Sequence, residues 1–215
     1  MIKQIVLDMG NVLIEWNPEK ILAYASEDVA RRQQLEHAIF TSGIWQQIDQ
    51  GLLTIEASKE QVMAQLDASY QAAVEWVMYH WYEKMDVYLD TQKLAIELAQ
   101  QGYGIYILSN TSALFHELVQ QDYLPVTQVT RGIYLSYQTQ LLKPDVAIYR
   151  DFCEQFQLNP KECVFIDDIA INIEAAKQIG MAGIVAQGTA SIRRGLQQLG
   201  VTLAANEGEC VDGHN

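Results

Sequence analysis

The segment Ile5-Val6-Leu7-Asp8-Met9-Gly10-Asn11 begins with an apolar, partly β-branched run that leads into an aspartate and then a glycine. Such a run predicts a short buried strand that delivers a carboxylate at its carboxyl end, with Gly10 permitting a chain reversal. Three later runs have the same character, at 104–110, 163–168 and 183–186. Because all four runs are continuously apolar and do not alternate, they predict parallel strands that are covered on both faces.

Helical segments separate the later strands. Residues 91–101 carry apolar side chains at one-face spacing, with Asp90 as the predicted N-cap and Gly102 as the stop. Residues 145–156 and 171–179 show the same pattern. The alternation predicts an α/β fold with a doubly wound parallel sheet, in which ligands bind at the carboxyl ends of the strands.

Between the first strand and residue 88 the apolar spacing is helical, and no convincing strand occurs. Thr54 is the predicted cap of a helix at 55–66. We therefore expect an all-helical cap domain inserted into the α/β core, and a tail rich in Gly, Glu and Asn that is mobile. The predicted boundaries of core, cap and tail are 1–15 with 89–205, 16–88, and 206–215.

Acidic residues dominate the charge of the 215-residue chain, since 27 Asp and Glu against 14 Lys and Arg give a formal net charge of -13. This field repels nucleic-acid backbones and anionic membranes, so we expect no nucleic-acid and no membrane partner. No stretch reaches the roughly 18 apolar residues of a membrane span, and no signal peptide is recognisable. Three widely spaced cysteines predict neither a disulfide framework nor a zinc site. The expectation is a cytoplasmic monomer or homodimer.

Polar residues cluster at the ends of predicted strands and in nearby loops. The clusters are Asp8 with Gly10 and Asn11, Ser109-Asn110-Thr111, Lys143-Pro144, and Asp167-Asp168 with Asn172. Together they form a coherent site for phosphoryl transfer, with a carboxylate nucleophile, a divalent cation and donors around the phosphate. Three converging carboxylates would repel one another strongly, so Asp8, Asp167 and Asp168 imply an oxygen-liganded ion, most simply Mg²⁺. Lys143 and Ser109 would then bind the phosphoryl oxygens, and the Asn110 amide could donate as well.

The chain contains, in this order, the segments V-L-D-M-G-N-V-L, I-L-S-N-T, L-L-K-P-D and V-F-I-D-D-I-A-I-N. These segments resemble the four motifs of the haloacid dehalogenase-like hydrolase superfamily, and the resemblance covers essentially the whole chain. It implies a Rossmann-like core with the helical insert as the cap domain. It also implies that Asp8 attacks phosphorus to form an aspartyl-phosphate and that Ser109 and Lys143 bind the phosphoryl group. The implied Mg²⁺ ligands are Asp8, the backbone carbonyl of Gly10, Asp167 and Asp168.

One position departs from the D-x-D pattern that is usual in phosphatases of this superfamily. The second aspartate of that pattern protonates the leaving group and later activates water, and here the position is Gly10. A general acid/base of this kind typically contributes about 10²–10⁴-fold. The chain therefore resembles the D-x-G-N subgroup that includes bacterial α-D-glucose 1-phosphate phosphatase. A sugar 1-phosphate has a comparatively good leaving group, so the missing acid would matter less.

The motifs and this resemblance predict a Mg²⁺-dependent phosphatase that acts on a small phosphorylated metabolite, a sugar phosphate such as glucose 1-phosphate. Three alternatives stay open. Dehalogenases of the superfamily also lack the second aspartate, but they need no Mg²⁺, and the Asp167-Asp168 pair speaks against them. Phosphomutases need the acid/base that Gly10 replaces. A non-catalytic phosphate-binding regulator would keep the site without turnover.

Substrate choice must come from outside the core, because the core motifs offer only phosphate chemistry. The candidate contacts are Asn11, Trp16 and Trp45, with Asp49 close to Trp45 in the sequence. For both tryptophans, packing at the seam between core and cap is the alternative. The aromatic residues from Trp76 to Tyr88 are interpreted as packing of the cap helices, with a platform for a sugar or a dimer surface as the alternatives.

Two further side chains near the motifs have more than one interpretation. Asn172 could orient Asp168 or Lys143 as a second-layer partner, or it could simply cap the helix at 171–179. Gln140 stands three residues before Lys143, where the family loop often carries a glycine. The sequence therefore does not determine the path of the backbone before Lys143.

Overall fold

The structure, a computed structural model, describes residues 1–203. The tail that was predicted to be mobile, 206–215, lies outside these residues. Within them, five parallel strands form one sheet: β1 (Gln4–Leu7), β2 (Gly104–Ser109), β3 (Thr130–Leu135), β4 (Cys163–Asp167) and β5 (Ala182–Val185). Their order in space is β3-β2-β1-β4-β5, and the prediction of a doubly wound parallel sheet is confirmed.

The described residues contain eleven α-helices. Five follow β1 as an insert: α1 (Pro18–Ala25), α2 (Val29–Glu36), α3 (Ile44–Asp49), α4 (Ile55–Met63) and α5 (Gln71–Tyr79). Six accompany the later strands: α6 (Leu89–Gln100), α7 (Leu114–Gln120), α8 (Ser136–Thr139), α9 (Val146–Gln155), α10 (Ala170–Lys177) and α11 (Thr189–Gln198). Short 3₁₀ or π-helical turns connect them at His37–Thr41, Ala68–Tyr70, Trp81–Lys84, Pro125–Val129 and Pro160–Glu162. None of the helices within residues 1–203 is long and apolar enough to cross a membrane.

Alternate side chains of the central strands face opposite sides of the sheet. Ile5 and Leu7 belong to a buried cluster that includes side chains of α6, α11 and the insert. Val6 belongs to a second cluster, to which α9 and α10 contribute. Because helices cover both faces of the sheet, neither set of strand side chains meets water, which accounts for the continuously apolar runs.

The central position of β1 brings the polar strand ends together. Leu7 is paired with Ile107 of β2 on one side and with Ile166 of β4 on the other. The next residues of the three strands therefore reach the same edge of the sheet. In a doubly wound sheet this carboxyl edge, beside the point where the strand order reverses, is where ligands bind.

Capping side chains define several helix starts. Thr54 Oγ1 accepts a hydrogen bond from the Ala57 N–H at 3.1 Å, and Asp145 Oδ1 accepts one from the Ala147 N–H at 2.9 Å. The prediction that Asp90 is an N-cap is wrong. The helix already begins at Leu89, and Asp90 lies in its first turn, where a carboxylate still interacts favourably with the helix dipole.

Among the five strands of the described sheet, β3 is the one that the sequence does not predict. Its sequence, T-R-G-I-Y-L, places an arginine and a glycine in the first half, so no continuous apolar run is present. The strand lies at the edge of the sheet beside β2, and only its last two residues, Tyr134 and Leu135, are buried. An edge strand can carry charged side chains because one of its sides faces solvent.

Candidate active site

Three carboxylates converge at the carboxyl edge of the sheet. Asp8 directly follows β1, Asp167 ends β4, and Asp168 comes next in the chain. Each offers an oxygen atom, and these atoms all lie within 4.8 Å of one another. Asp8 and Asp167 are buried, whereas Asp168 is partly exposed. The fold thus brings together the three side chains that were predicted as metal ligands.

Lys143 is the cation inside this cluster. Its Nζ lies 2.8 Å from Oδ1 of Asp8 and 2.6 Å from Oδ2 of Asp167, and only 2% of its side chain is exposed. Burial alone would lower the pKa of Lys143, but the charges of Asp8 and Asp167 outweigh burial and raise it above its ordinary value. Lys143 therefore stays protonated and joins the ends of β1 and β4 through two buried ion pairs.

Asp8 keeps one of its oxygens free. The Met9 N–H donates to Oδ1 at 2.7 Å, and Lys143 contacts the same oxygen. Oδ2 accepts no hydrogen bond from any residue in 1–203. Burial raises the pKa of Asp8 to about 6, against the opposing charge of Lys143 and with a contribution from the Asp167 carboxylate. At neutral pH this side chain is mostly ionised and can act as a nucleophile or as a metal ligand.

Asp167 and Asp168 differ in the number of hydrogen bonds that their carboxylates accept from the protein. The Asn172 Nδ2 donates to both oxygens of Asp167 at 3.0 Å, and the Ile169 N–H donates to Oδ1 at 2.8 Å. Asp168 accepts one hydrogen bond from the described residues, from Asn11 Nδ2 at 3.0 Å. Asp168 is therefore the more available of the two carboxylates for a metal ion.

Asn172 orients neither Asp168 nor Lys143, contrary to the interpretations drawn from the sequence. Its partner is Asp167, and the N-cap of α10 is Ile169, so simple capping by Asn172 is also wrong. Asn172 is itself buried, and the Tyr149 hydroxyl donates to its backbone carbonyl at 2.8 Å. It holds Asp167 in the position from which that carboxylate contacts the lysine.

The segment after β2 differs in detail from the prediction. Ser109 ends β2, is only 1% exposed and does not line the cavity described below, so its phosphate-binding role stays a prediction. Asn110 uses its side chain on the backbone of Lys143: Nδ2 donates to the carbonyl at 3.0 Å, and Oδ1 accepts from the N–H at 2.9 Å. Asn110 thereby fixes the lysine. Thr111 and Ser112 also line the cavity, although the sequence predicts neither of them as a ligand.

A cavity of about 180 Å³ lies next to these groups. From the core it is lined by Asp8, Gly10, Asn11, Asn110, Lys143, Asp168 and Asn172, among others. Trp16, Trp45, Asp49 and Trp81 line it from the loop after β1 and from the insert. Pockets for drug-sized ligands measure roughly 300–1,000 Å³, so this cavity suits a small molecule.

Tryptophans form one wall of the cavity. The ring of Trp16 lies 5.0 Å from that of Trp45 and 4.8 Å from that of Trp81. Trp16 and Trp45 therefore both pack at the seam and line the cavity. For Trp81, an interpretation as packing alone is incomplete. Its buried indole N–H lacks a hydrogen-bond partner in 1–203, and nothing in the sequence distinguishes this tryptophan from its aromatic neighbours.

Asn11 lines the cavity but its side chain is occupied by protein groups. Besides donating to Asp168, it accepts a hydrogen bond from the Trp16 N–H at 2.9 Å through Oδ1. Its φ of 52° lies in the left-handed region, which asparagine tolerates better than most residues. Asn11 thus couples the loop after β1 to the acidic cluster.

The loop before Lys143 follows a path that glycine would adopt easily. Gln140 has a φ of 61°, in the left-handed region that favours glycine. Its backbone carbonyl accepts a hydrogen bond from Gln50 Nε2 at 2.9 Å, which ties the loop to the insert just after α3.

The residues of the cluster fit a divalent metal ion. Asp8, Asp167 and Asp168 face a single ammonium group, so the ionised cluster holds an excess of two negative charges in a largely buried place. All the available ligands are oxygen atoms, which Mg²⁺ prefers. The carbonyl of Gly10, a residue that also lines the cavity, accepts no hydrogen bond from the described residues and is free to bind an ion.

Comparison with known proteins gives the family and the fold. The sequence profile of the haloacid dehalogenase-like hydrolases matches residues 2–180. The sesquiterpene phosphatase astK of Aspergillus oryzae is 27% identical over 184 residues, which cover 85% of this chain and 88% of that protein. The D-ribitol-5-phosphate phosphatase of Bacteroides thetaiotaomicron is 26% identical over 187 residues, which cover 84% of this chain and 89% of that protein.

Solved structures of the same architecture include a HAD family enzyme from Bacteroides thetaiotaomicron in complex with magnesium and inorganic phosphate. It superimposes on this chain with a TM-score of 0.73 at 23% sequence identity, covering 87% of this chain and 96% of that chain. At this level of identity the likeness is one of fold.

Proposed function

Because the chain belongs to the haloacid dehalogenase-like hydrolase family, we propose that it is a Mg²⁺-dependent phosphatase that hydrolyses a small phosphorylated metabolite through an aspartyl-phosphate on Asp8. One observation carries the proposal. Asp8 lines the cavity with one oxygen held by Met9 and Lys143 and the other oxygen free, beside two further carboxylates. This arrangement supplies a nucleophile, a cation for the phosphate and ligands for a metal.

The relatives support the reaction class. Two proteins that are similar over more than four fifths of this chain are a sesquiterpene phosphatase and a D-ribitol-5-phosphate phosphatase. Both names describe the removal of phosphate from a small organic molecule, although the two alcohols differ widely in polarity. The shared element is the phosphate, and the core residues of this chain are the ones suited to binding it.

Magnesium would be held by Asp8, Asp168 and the carbonyl of Gly10, the oxygen ligands of the cluster that protein groups leave available. When bound, the ion supplies charge neutralisation and polarises the phosphoryl oxygens. Asp167 was also predicted as a ligand, and we propose instead that its main part is to hold Lys143. Its oxygens already accept hydrogen bonds from Asn172 and Ile169.

The residues of the chain act in two stages. The free Oδ2 of Asp8 attacks phosphorus, the bond between phosphorus and the ester oxygen breaks, and the phosphoryl group is carried on Asp8. Lys143 stabilises the negative charge of the transferring group at close range. Water then attacks the phosphorus of the aspartyl-phosphate, releasing inorganic phosphate and restoring the carboxylate.

Within this class we propose a sugar phosphate, such as glucose 1-phosphate, as the substrate. Supporting this choice are the small cavity and its mixture of tryptophan rings and polar groups. Aromatic rings commonly pack against the apolar faces of small ligands while polar groups fix their orientation.

The test is hydrolysis by the purified protein. We expect Mg²⁺-dependent release of inorganic phosphate from p-nitrophenyl phosphate and from glucose 1-phosphate, and loss of both activities in Asp8→Asn. Glu60→Gln is the matched control, because Glu60 is an exposed carboxylate of α4 whose side chain makes no hydrogen bond or ion pair within residues 1–203.

Two results would contradict the proposal. Mg²⁺-dependent hydrolysis that persists in Asp8→Asn would exclude Asp8 as the nucleophile. A wild-type protein that binds Mg²⁺ and phosphate but turns over no phosphoester would be a phosphate-binding regulator. Measuring released inorganic phosphate, and not only consumption of the sugar phosphate, separates hydrolysis from phosphate migration by a mutase.

A further inference from the structure

A carboxyl group that this mechanism does not use lines the same cavity as the nucleophile. Asp49 is the last residue of α3, in the insert, and it lines the cavity together with Asp8, Lys143 and Asp168. Trp45, four residues earlier, lines the cavity from the same helix. Because residues at this spacing lie on one side of a helix, α3 presents both side chains towards the nucleophile.

Gly10 has no side chain that could act as an acid. A Cβ atom added at Gly10 would lie 3.4 Å from Cβ and 3.9 Å from Cγ of Trp16, which is ordinary van der Waals contact. An acid must come from elsewhere if the reaction uses one, and the insert offers a carboxyl group at the cavity.

The end of α3 is fixed to the core. The Ser136 hydroxyl donates to the backbone carbonyl of Asp49, and Ser136 Oγ in turn accepts a hydrogen bond from the Thr111 N–H at 2.9 Å. Gln50, the next residue, donates to the carbonyl of Gln140 in the loop that leads to Lys143. Asp49 is thus held relative to two segments of the site, as proton transfer at a defined distance requires.

The surroundings of Asp49 favour its neutral form. The pKa of Asp49 is raised to about 8, mainly by burial and in part by the charge of Asp8 on β1, while the hydrogen bond from Trp45 and the charge of Lys143 oppose the rise. Asp168, after β4, is the remaining ionisable side chain that lines the cavity in residues 1–203. Two carboxyl groups in one cavity, one mostly ionised and the other mostly protonated, suit the roles of nucleophile and acid.

We propose that Asp49 is the general acid and general base of the reaction, in the place of the carboxylate that the core lacks at Gly10. The inference rests on the proposed phosphatase function. As Asp8 Oδ2 forms its bond to phosphorus and the P–O ester bond breaks, the Asp49 carboxyl proton passes to the leaving oxygen, which departs as the alcohol. The Asp49 carboxylate then takes a proton from the water that attacks the aspartyl-phosphate, which regenerates the acid and Asp8.

This role widens the range of substrates. Without an acid, only esters with good leaving groups, such as sugar 1-phosphates, would react quickly. With Asp49 as the acid, phosphate monoesters of ordinary alcohols can also react, because the leaving group departs as the neutral alcohol and not as a strongly basic alkoxide.

A series of aryl phosphates tests the assignment. Their phenols range from the acidic p-nitrophenol to the more basic p-methoxyphenol, while size and shape change little. Values of kcat/KM report the steps up to release of the phenol and are independent of later hydrolysis of the aspartyl-phosphate. We expect Asp49→Asn to lower kcat/KM for p-methoxyphenyl phosphate by about 10²–10⁴-fold but for p-nitrophenyl phosphate by less than about tenfold.

The outcomes separate this inference from the proposed function. Equal losses across the series, or no loss, in an Asp49→Asn protein that remains folded by circular dichroism would overturn the role of Asp49 and leave the phosphatase intact. If the wild type hydrolyses no member of the series and no sugar phosphate, the proposed function fails, and the inference with it. Asp49→Glu, which keeps a carboxyl group, should retain the shallow dependence on the leaving group, and Glu60→Gln should match the wild type throughout.

Discussion

At the scale of single residues, the half-buried carboxyl group of Asp49 destabilises the fold once it ionises. Burial raises the pKa of Asp49 from 3.8 to about 8. Between these pH values the folded chain retains a proton that the unfolded chain has released. The resulting stability is fully present below pH 3.8 and is lost as the pH rises through about 8.

Because the stability that Asp49 contributes falls as the pH rises, Asp49→Asn, whose amide never ionises, should behave differently from the wild type. We expect the variant to unfold at a higher temperature than the wild type above pH 8, and the difference to shrink as the pH falls and to reach zero only below about pH 3.8, where Asp49 is protonated in the folded and in the unfolded chain. The difference in Tm is measured by thermal unfolding in the presence of a chelator, with circular dichroism as the signal. A difference in Tm that does not change with pH would contradict the burial of an ionisable group here, and Glu60→Gln serves as the control.

The chemistry of single residues was predictable where it depends on residue type at a strand end. Asp8, Lys143, Asp167 and Asp168 were identified from the sequence, and the fold brings them together. Hydrogen-bond partners were not predictable, as Asn172 illustrates. Its amide lies between several polar groups, and the choice of Asp167 depends on how the first turn of α10 is placed against β4.

At the scale of elements, α3 connects the insert to the site, and Gly51 sets its approach to the core. Gly51 has a φ of 71°, and a Cβ atom there would lie 2.0 Å from the backbone oxygen of Tyr137 in α8. Gly43, at the other end of α3, has a φ of 82° but no atom within 4 Å of an added Cβ. Replacing either glycine by a residue with a Cβ atom would therefore strain the backbone. Only the replacement of Gly51 would also push the end of α3 away from the core.

The pair gives a matched test. We expect Gly51→Ala to displace the end of α3 and with it Asp49, lowering kcat/KM for p-methoxyphenyl phosphate at least as steeply as for p-nitrophenyl phosphate. Gly43→Ala should cost about 1–2 kcal/mol in stability for its left-handed backbone and leave kcat/KM near the wild-type value. Both measurements are made well below the unfolding temperature of each variant. Equal kinetic effects of the two substitutions would show that the contact with Tyr137 does not position α3.

Helices and strands were predictable where their burial leaves a regular pattern of apolar residues in the sequence. The three central strands are buried and four of the five strands are apolar runs, whereas β3 is interrupted by Arg131 and Gly132. Helix starts were predictable where a side chain caps the backbone, as at Thr54 and Asp145. Helix α6 has no such cap, since Tyr88 precedes it without a side-chain hydrogen bond, and the prediction of its start at Asp90 was wrong for this reason.

At the scale of the whole molecule, the net charge of -13 affects association and stability more than it affects the site. A field of this size opposes binding of extended polyanions, for which many contacts must sum. A single phosphate group meets Lys143 at close range, where a local charge outweighs a field that salt screens over about 8–10 Å. The acidic cluster itself contributes to the self-repulsion that a compact acidic chain must overcome.

Binding of a divalent ion to this cluster should therefore stabilise the whole fold. At a Mg²⁺ concentration one hundred times its Kd, binding to the folded state alone contributes about 2.7 kcal/mol, which corresponds to an increase in Tm of roughly 5–10 °C for a chain of this size. Asp168→Asn should abolish most of the increase, because Asp168 is the carboxylate most available for the ion. Asp167→Asn should keep a larger part of it while lowering kcat, because Asp167 holds Lys143.

General screening of the acidic surface is the competing explanation for a rise in Tm, and NaCl at matched ionic strength measures it. Screening acts on every exposed carboxylate, so it should raise the Tm of the wild type and of both variants by the same amount. Specific binding should appear only with Mg²⁺, saturate as its concentration rises and be removed by a chelator. If NaCl reproduces the whole shift, or if Asp168→Asn responds to Mg²⁺ as the wild type does, the cluster of Asp8, Asp167 and Asp168 is not a metal site.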